Sequence, residues 1–159
     1  MPVPYIDRIR DTYRSLGYPG YQWVVNPEPP PWRPLRKPLR ECRLGLIASG
    51  GIYVTGQVAF HFKDDLSFRI VDTSAPTSRL RATHFAYDLT DARQDPNVVF
   101  PIDTLQALAT EGFIGALGPR AYTFMGGIYS SRKVREVLAP AIADRIENDE
   151  VDLALLVPV

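Results

Sequence analysis

The sequence predicts an α/β domain of layered type, built on a mainly parallel sheet in a Rossmann-like or flavodoxin-like arrangement. Two apolar runs, RLGLIASGG at 43–51 and RAYTFMGG at 120–127, each end in paired glycines. Strands end this way where backbone N–H groups turn to face a ligand. A helix-periodic stretch from Val134 to Ile146 then leads into VDLALLVPV at 151–159, in which seven of nine residues are Val, Leu or Ala. A short apolar run of that kind reads as a buried parallel strand. Strand, glycine turn, helix and further strand compose an α/β layered fold. Ligands in such folds sit just beyond the carboxyl ends of the strands. Residues 1–159 read as a single domain of this class, with 1–40 a helix followed by a proline- and aromatic-rich arm.

Ile6, Ile9, Tyr13 and Leu16 are spaced as one face of a short helix, and Gly17 stands where a C-terminal capping glycine belongs. Nine of the fifteen prolines fall in the first 38 residues, and those at 27, 29, 30, 31, 34 and 38 exclude regular helix and disfavour a central strand. The expected form is an extended arm with Tyr18, Tyr21, Trp23 and Trp32 tucked against the domain. The alternative is a polyproline ligand for an aromatic groove.

After the first strand comes a second strand candidate, LSFRIVD at 66–72. Asp103 is placed to cap a short helix over Leu105, Leu108 and Ala109, with Gln106 completing a capping-box pattern and Gly112 ending the helix. Ser130 or Ser131 can cap the last helix, whose apolar face is Val134, Val137, Leu138, Ala141, Ile142 and Ile146. Pro140 lies inside that pattern and should kink or divide it.

Composition removes several function classes. Eighteen basic residues balance eighteen acidic ones, although residues 1–43 hold eight basic and four acidic side chains. That excess reads as solvated charge, and neither nucleic acid nor membrane is expected as a partner. No run approaches the roughly 18 apolar residues of a membrane helix, and MPVPYIDRIRD lacks a signal peptide's apolar stretch. Cys42 is the single cysteine. This excludes an internal disulfide, a CxxC redox pair and a cysteine zinc cage, and suggests a cytoplasmic setting. The Ser49–Gly51 turn carries neither GxGxxG nor GxxxxGK[ST], so a phosphate site has little support. His61 and His84 are 23 residues apart without a cysteine between them, which leaves zinc without a ligand set. No metal is expected.

The polar residues that remain are concentrated. His84, Tyr87, Asp88, Asp91, Arg93, Asp95 and Asn97 lie within fourteen residues. A carboxylate such as Asp88 could orient His84 and raise its pKa, making a proton-transfer pair. Arg93 could hold a substrate carboxylate. The plainer alternative is a polar loop in which Asp and Asn cap turns ahead of Pro96.

Several stretches together resemble the selenoprotein B family of glycine, sarcosine, betaine and D-proline reductases. They are YIDRIRDTYRSLGYPGYQWVVNPEPPPWRPL, RLGLIASGGIY, THFAYDLTDARQDPNVVFPIDTL, EGFIGALGPRAYTFMGGI and LAPAIADRIENDEVDLALLVPV, with the stretch from His84 to Pro101 the most specific. The resemblance implies a subunit that cleaves a small amino acid or betaine reductively, together with partner reductase subunits, one of which carries a pyruvoyl group. It also implies a selenocysteine, or a cysteine, directly after a strand like ALLVPV. On that expectation Val159 is followed by a selenocysteine UGA codon, and the domain is truncated and incomplete at its carboxyl end. The reactive anion would lie among Ser49, Gly50, Gly51, Met125, Gly126 and Gly127, with His84, Asp88 and Arg93 serving the substrate. A non-catalytic interaction subunit and a free-standing small-ligand-binding α/β domain are the alternatives.

Overall fold

The computed structural model describes residues 4–20 and 24–159. Two compact units are present, Met1–Trp32 and Arg33–Val159.

In the first unit, helix α1 spans Tyr5–Ser15. Gly17 takes φ +78°, and its N–H donates to Arg14 O while that of Tyr18 donates to Tyr13 O at 2.9 Å. These two bonds satisfy the last carbonyls of the helix, as the sequence predicts. No side chain of α1 is buried. Tyr18 and Trp32 are exposed, and Tyr21 and Trp23 lie outside the described residues. Residues 24–38 contain no helix or strand, as their prolines require.

The second unit holds a five-stranded sheet around strand β1, Arg43–Ala48. Strand β7, Leu153–Val157, runs parallel along one edge of β1 from Leu44↔Leu153 to Ala48↔Val157. The other edge is shared by β5, Ala116–Leu117, and β6, Arg120–Phe124, both also parallel. Strand β3, Phe68–Asp72, pairs antiparallel with the far side of β6. Three of the four pairings are therefore parallel, in agreement with the predicted class. A separate antiparallel ribbon joins β2, Ile52–Val54, to β4, Leu80–Ala82.

β1 is apolar on both faces because both are covered. Leu44, Leu46 and Ala48 join Ile52, Val71, Phe100, Ile102, Leu105 and Ala121 in the larger core, to which helices α2 (Thr90–Gln94) and α3 (Ile102–Thr110) also contribute. On the opposite face Ile47 packs with Tyr122, Leu138 and Ile142. Burying each large aliphatic or aromatic side chain contributes about 1.5–3 kcal/mol.

Asp103 does not cap α3. Pro101 occupies the cap position without a side-chain bond, Asp103 lies in the first turn, and Gln106 Nε2 donates to Thr73 O instead of reaching back to the helix start. Gly112 ends the helix, as predicted. The last helix begins at Ser130, whose hydroxyl oxygen accepts from Lys133 N. It runs as α4 (Ser131–Lys133), a π-helical turn (Val134–Leu138) and α5 (Ala139–Asn148). Pro140 has no N–H to bond the preceding turn and its ring would strike the carbonyl four residues back. The wider π turn absorbs that conflict, so the helix is interrupted rather than divided.

Candidate active site

The carboxyl ends of β1, β6 and β7 meet at one pole of the sheet. Ser49 N donates to Val157 O at 3.0 Å, and Val159 N donates to Ser49 Oγ at 2.9 Å. Gly126 N donates to Ser49 O and Gly51 N to Phe124 O, each at 3.1 Å, flanking an antiparallel bridge between Gly50 and Met125. The Ser49–Gly51 and Met125–Gly127 turns are thus tied to each other and to the end of β7 by main-chain groups. Gly50, Gly51 and Met125 are buried here, Ser49 is half-buried, and Gly126 and Gly127 face solvent. A cavity of about 100 Å3 opens between Ile47, Ser49, Phe124, Leu156, Val157 and Pro158.

Gly51 joins this pole to the next loop. Its φ is +66°, and a Cβ on it would stand 1.9 Å from Thr83 O. Only glycine permits that approach. Thr83 N donates to Gly51 O at 3.0 Å, which brings His84 against the turn.

His84 is 5% exposed. Its Nδ1 accepts from Ala86 N at 3.0 Å, and its ring lies 4.7 Å from that of Tyr87, whose hydroxyl donates to Gly50 O at 2.8 Å. Nε2 makes no hydrogen bond. Burial holds the His84 pKa below its ordinary value, with a backbone hydrogen-bonding contact from Ser49 acting the other way. The expectation that a carboxylate raises it is overturned, because no carboxylate bears on the ring.

Asp88 is exposed, and its Oδ1 accepts from Thr90 N at 2.9 Å and Thr90 Oγ1 at 2.7 Å. It caps the turn into α2 and does not orient His84. Asp95 does the same for Asn97, which also bonds Asp103 through both ends of its amide. The plainer reading of these acids is the one the geometry follows. Arg93 acts electrostatically on Asp88 and Tyr87, but it lines a different cavity of about 360 Å3, with Tyr53, Arg81 and Thr83. The structure therefore gathers Ser49, Gly50, Gly51, Met125, Gly126, Gly127 and His84, and leaves Asp88 and Arg93 beside that group.

A family profile described as glycine/sarcosine/betaine reductase selenoprotein B matches residues 25–158. The chain belongs to that family. Among curated proteins it is 36% identical over 128 residues to the D-proline reductase subunit gamma of Acetoanaerobium sticklandii, covering 80% of this chain and 53% of that one. It is 31% identical over 137 residues to the glycine reductase complex component B subunit gamma of Symbiobacterium thermophilum, covering 83% of this chain and 30% of the relative. The chain thus spans about half the length of the first relative and under a third of the second. No solved structure matches it significantly.

At the opposite, amino-terminal pole, the chain carries a second polar group of residues that the sequence does not advertise. Asp149, 5% exposed, accepts from the Arg120 guanidinium and from the Tyr122 hydroxyl, while Arg43 Nη1 donates to its main-chain oxygen at 2.8 Å. Arg120 and Tyr122 hold the Asp149 carboxyl below its usual range against the effect of burial. Burial and the neighbouring Asp149 push Tyr122 up to about 12. A cavity of about 570 Å3 also opens at this pole, but its charges are paired: Lys37 with Asp152 at 2.7 Å and Arg43 with Glu150 at 3.1 Å. Cys42 is fully buried nearby, its thiol donating to main-chain oxygens of Lys37 and Pro38, as befits a structural cysteine. In sequence Tyr122 reads only as part of the strand candidate RAYTFMGG, and Asp149 only as part of the ENDE that leads into the last strand. Among the described residues no group of three His, Cys, Asp or Glu side chains is placed to hold a metal, and no helix is long and apolar enough to cross a membrane.

Proposed function

We propose that this chain is part of a B-type reductase subunit that cleaves a small amino acid or betaine reductively, in company with partner subunits and in a cytoplasmic setting. The observation that carries the proposal is the meeting of three parallel strand ends at Ser49, Met125 and Val159. In an open α/β sheet this is where substrate and reactive groups collect. The selenocysteine or cysteine of the reaction follows Val159 directly, on a backbone already held by Ser49 Oγ. Strand ends fix such a nucleophile, and a following helix N-terminus favours its anion. Ser49 to Gly51 and Met125 to Gly127 leave room for the substrate beside it, His84 supplies a polar contact, and Arg93 at the margin attracts the substrate carboxylate. The pyruvoyl carbonyl belongs to a partner subunit, and no residue of this chain is assigned to hold it.

The coding sequence directly after the Val159 codon tests the placement. An in-frame UGA or a cysteine codon, followed by open frame with a further cysteine, is the expected result. Consecutive stops or unrelated sequence would overturn it. The protein assembled with its partner subunits should then release product from glycine, sarcosine, betaine or D-proline in the presence of a dithiol, and lose that activity when the nucleophile is changed to serine.

A further inference from the structure

We infer that His84 serves this site as a neutral hydrogen-bond donor, fixed in the Nε2–H tautomer, to the carboxylate of a small zwitterionic substrate, and that Tyr87 is the residue that positions it. The inference rests on the reading of the strand-end pole as the substrate site and deepens it. Ala86 N–H already donates to Nδ1 at 3.0 Å, so the ring's lone pair is engaged there and its proton sits on Nε2. A histidine held this way has no free lone pair with which to take a proton from substrate, and a second proton on Nδ1 would collide with the Ala86 N–H. General-base chemistry is thereby excluded for this tautomer. Tyr87 locks the orientation from both ends, its ring against the imidazole at 4.7 Å and its hydroxyl on Gly50 O at 2.8 Å.

Nε2–H makes no hydrogen bond of good geometry in a side chain that is 5% exposed, and the Ser49 backbone is the neutral acceptor that bears on the ring. Buried donors are nearly always satisfied, so an orphan beside a strand-end pole marks a partner that arrives from elsewhere. An anionic oxygen is the partner that a dry N–H pairs with most strongly. Among the described residues no acidic side chain bears on it. The groups that face the ring are the backbone of Ser49 and the phenol of Tyr87, while Asp88 is engaged with Thr90 and Arg93 acts on Tyr87 and Asp88 rather than on the imidazole. Substrate entry moves the turn enough to admit the carboxylate, since Nε2 has no open solvent beside it.

Two measurements test this. In the chain labelled with 15N-histidine, only His61 and His84 contribute signals. His84 should show a pyrrole-type Nε2 and a pyridine-type Nδ1 at pH 7, and Tyr87→Phe should speed exchange of the Nε2 proton. A pyrrole-type Nδ1, or a cationic ring at pH 7, would overturn the inference. In the full-length protein assembled with its partner subunits, His84→Ala should raise KM about tenfold or more, the loss expected for a hydrogen bond to a charged group. His84→Gln, which keeps an N–H donor at similar reach, should recover most of that loss. Equal damage from both substitutions would reject the donor role while leaving His84 in the site. No effect from either would remove His84 from the site and take the inference with it.

Discussion

Tyr122 and Asp149, on a central strand and at the end of the last helix, are joined by a hydrogen bond from the phenol to a buried carboxylate. Arg120 completes the group, and together they fasten α5 to the start of β6. Asp149→Ala leaves a buried hydroxyl without its acceptor and a guanidinium without its counter-charge. We expect a stability loss of about 2–3 kcal/mol in urea unfolding, because Arg120 is partly solvated and recovers water. Asp149→Asn should lose less.

The same group contributes to the pH dependence of the fold at both ends. The Asp149 pKa is depressed in the folded state, so its contribution is fully present above the unfolded carboxyl value of about 4 and is lost as pH falls through the lower folded value. Tyr122 behaves oppositely. Its folded value is raised to about 12, so its contribution is complete below the unfolded value of about 10 and disappears as pH climbs between the two. Tyr122→Phe should therefore flatten the alkaline arm of the stability curve. An alkaline arm of unchanged steepness in that variant would refute the assignment.

Gly51→Ala should lower stability by at least about 2 kcal/mol, from the left-handed backbone and the collision with Thr83 O. The damage should appear at His84, whose loop hangs on that contact. Comparing the His84 and His61 imidazole signals checks this, with His61 expected to stay in place.

Ser49→Ala removes the acceptor that holds Val159 N. Hydrogen exchange of the Val159 amide should quicken, while global stability falls by about 1 kcal/mol. Unaltered exchange at Val159 would mean that the strand end is held by other contacts.

Cys42 should resist thiol reagents in the folded protein and react at once in denaturant, since its thiol is fully buried. A native-state reaction as fast as that of free cysteine would contradict the placement.

The elements legible in the sequence are those with long, single-signal patterns. β1 and β6 announce themselves as apolar runs stopped by glycine, β7 as a continuous apolar run, and the last helix through the spacing of Leu138, Ile142 and Ile146. β2, β4 and β5 are two or three residues long, too short for any period to show, and β5 is separated from β6 only by Gly118 and Pro119. The meeting of Ser49–Gly51 with Met125–Gly127 was legible because parallel strands deliver their carboxyl ends to the same side. The role of Asp88 was not. An aspartate four residues from a histidine looks the same whether it orients the ring or, as here, bonds the residues ahead of it. Which nitrogen of His84 is free depended on Ala86, a residue with no chemistry in its side chain.

The strand-end pole is assembled from peptide groups: Ser49, Gly51, Phe124, Gly126 and Val157 each contribute an N–H or a C=O to its joints. Joints of this kind survive the exchange of most neighbouring side chains, because the bonding atoms are common to every residue. A lineage can therefore reshape the walls of the pocket while inheriting its frame intact. Two relatives named for different substrates, D-proline and glycine, share about a third of their aligned residues with this chain. A frame written in the main chain is the kind of inheritance that tolerates such divergence.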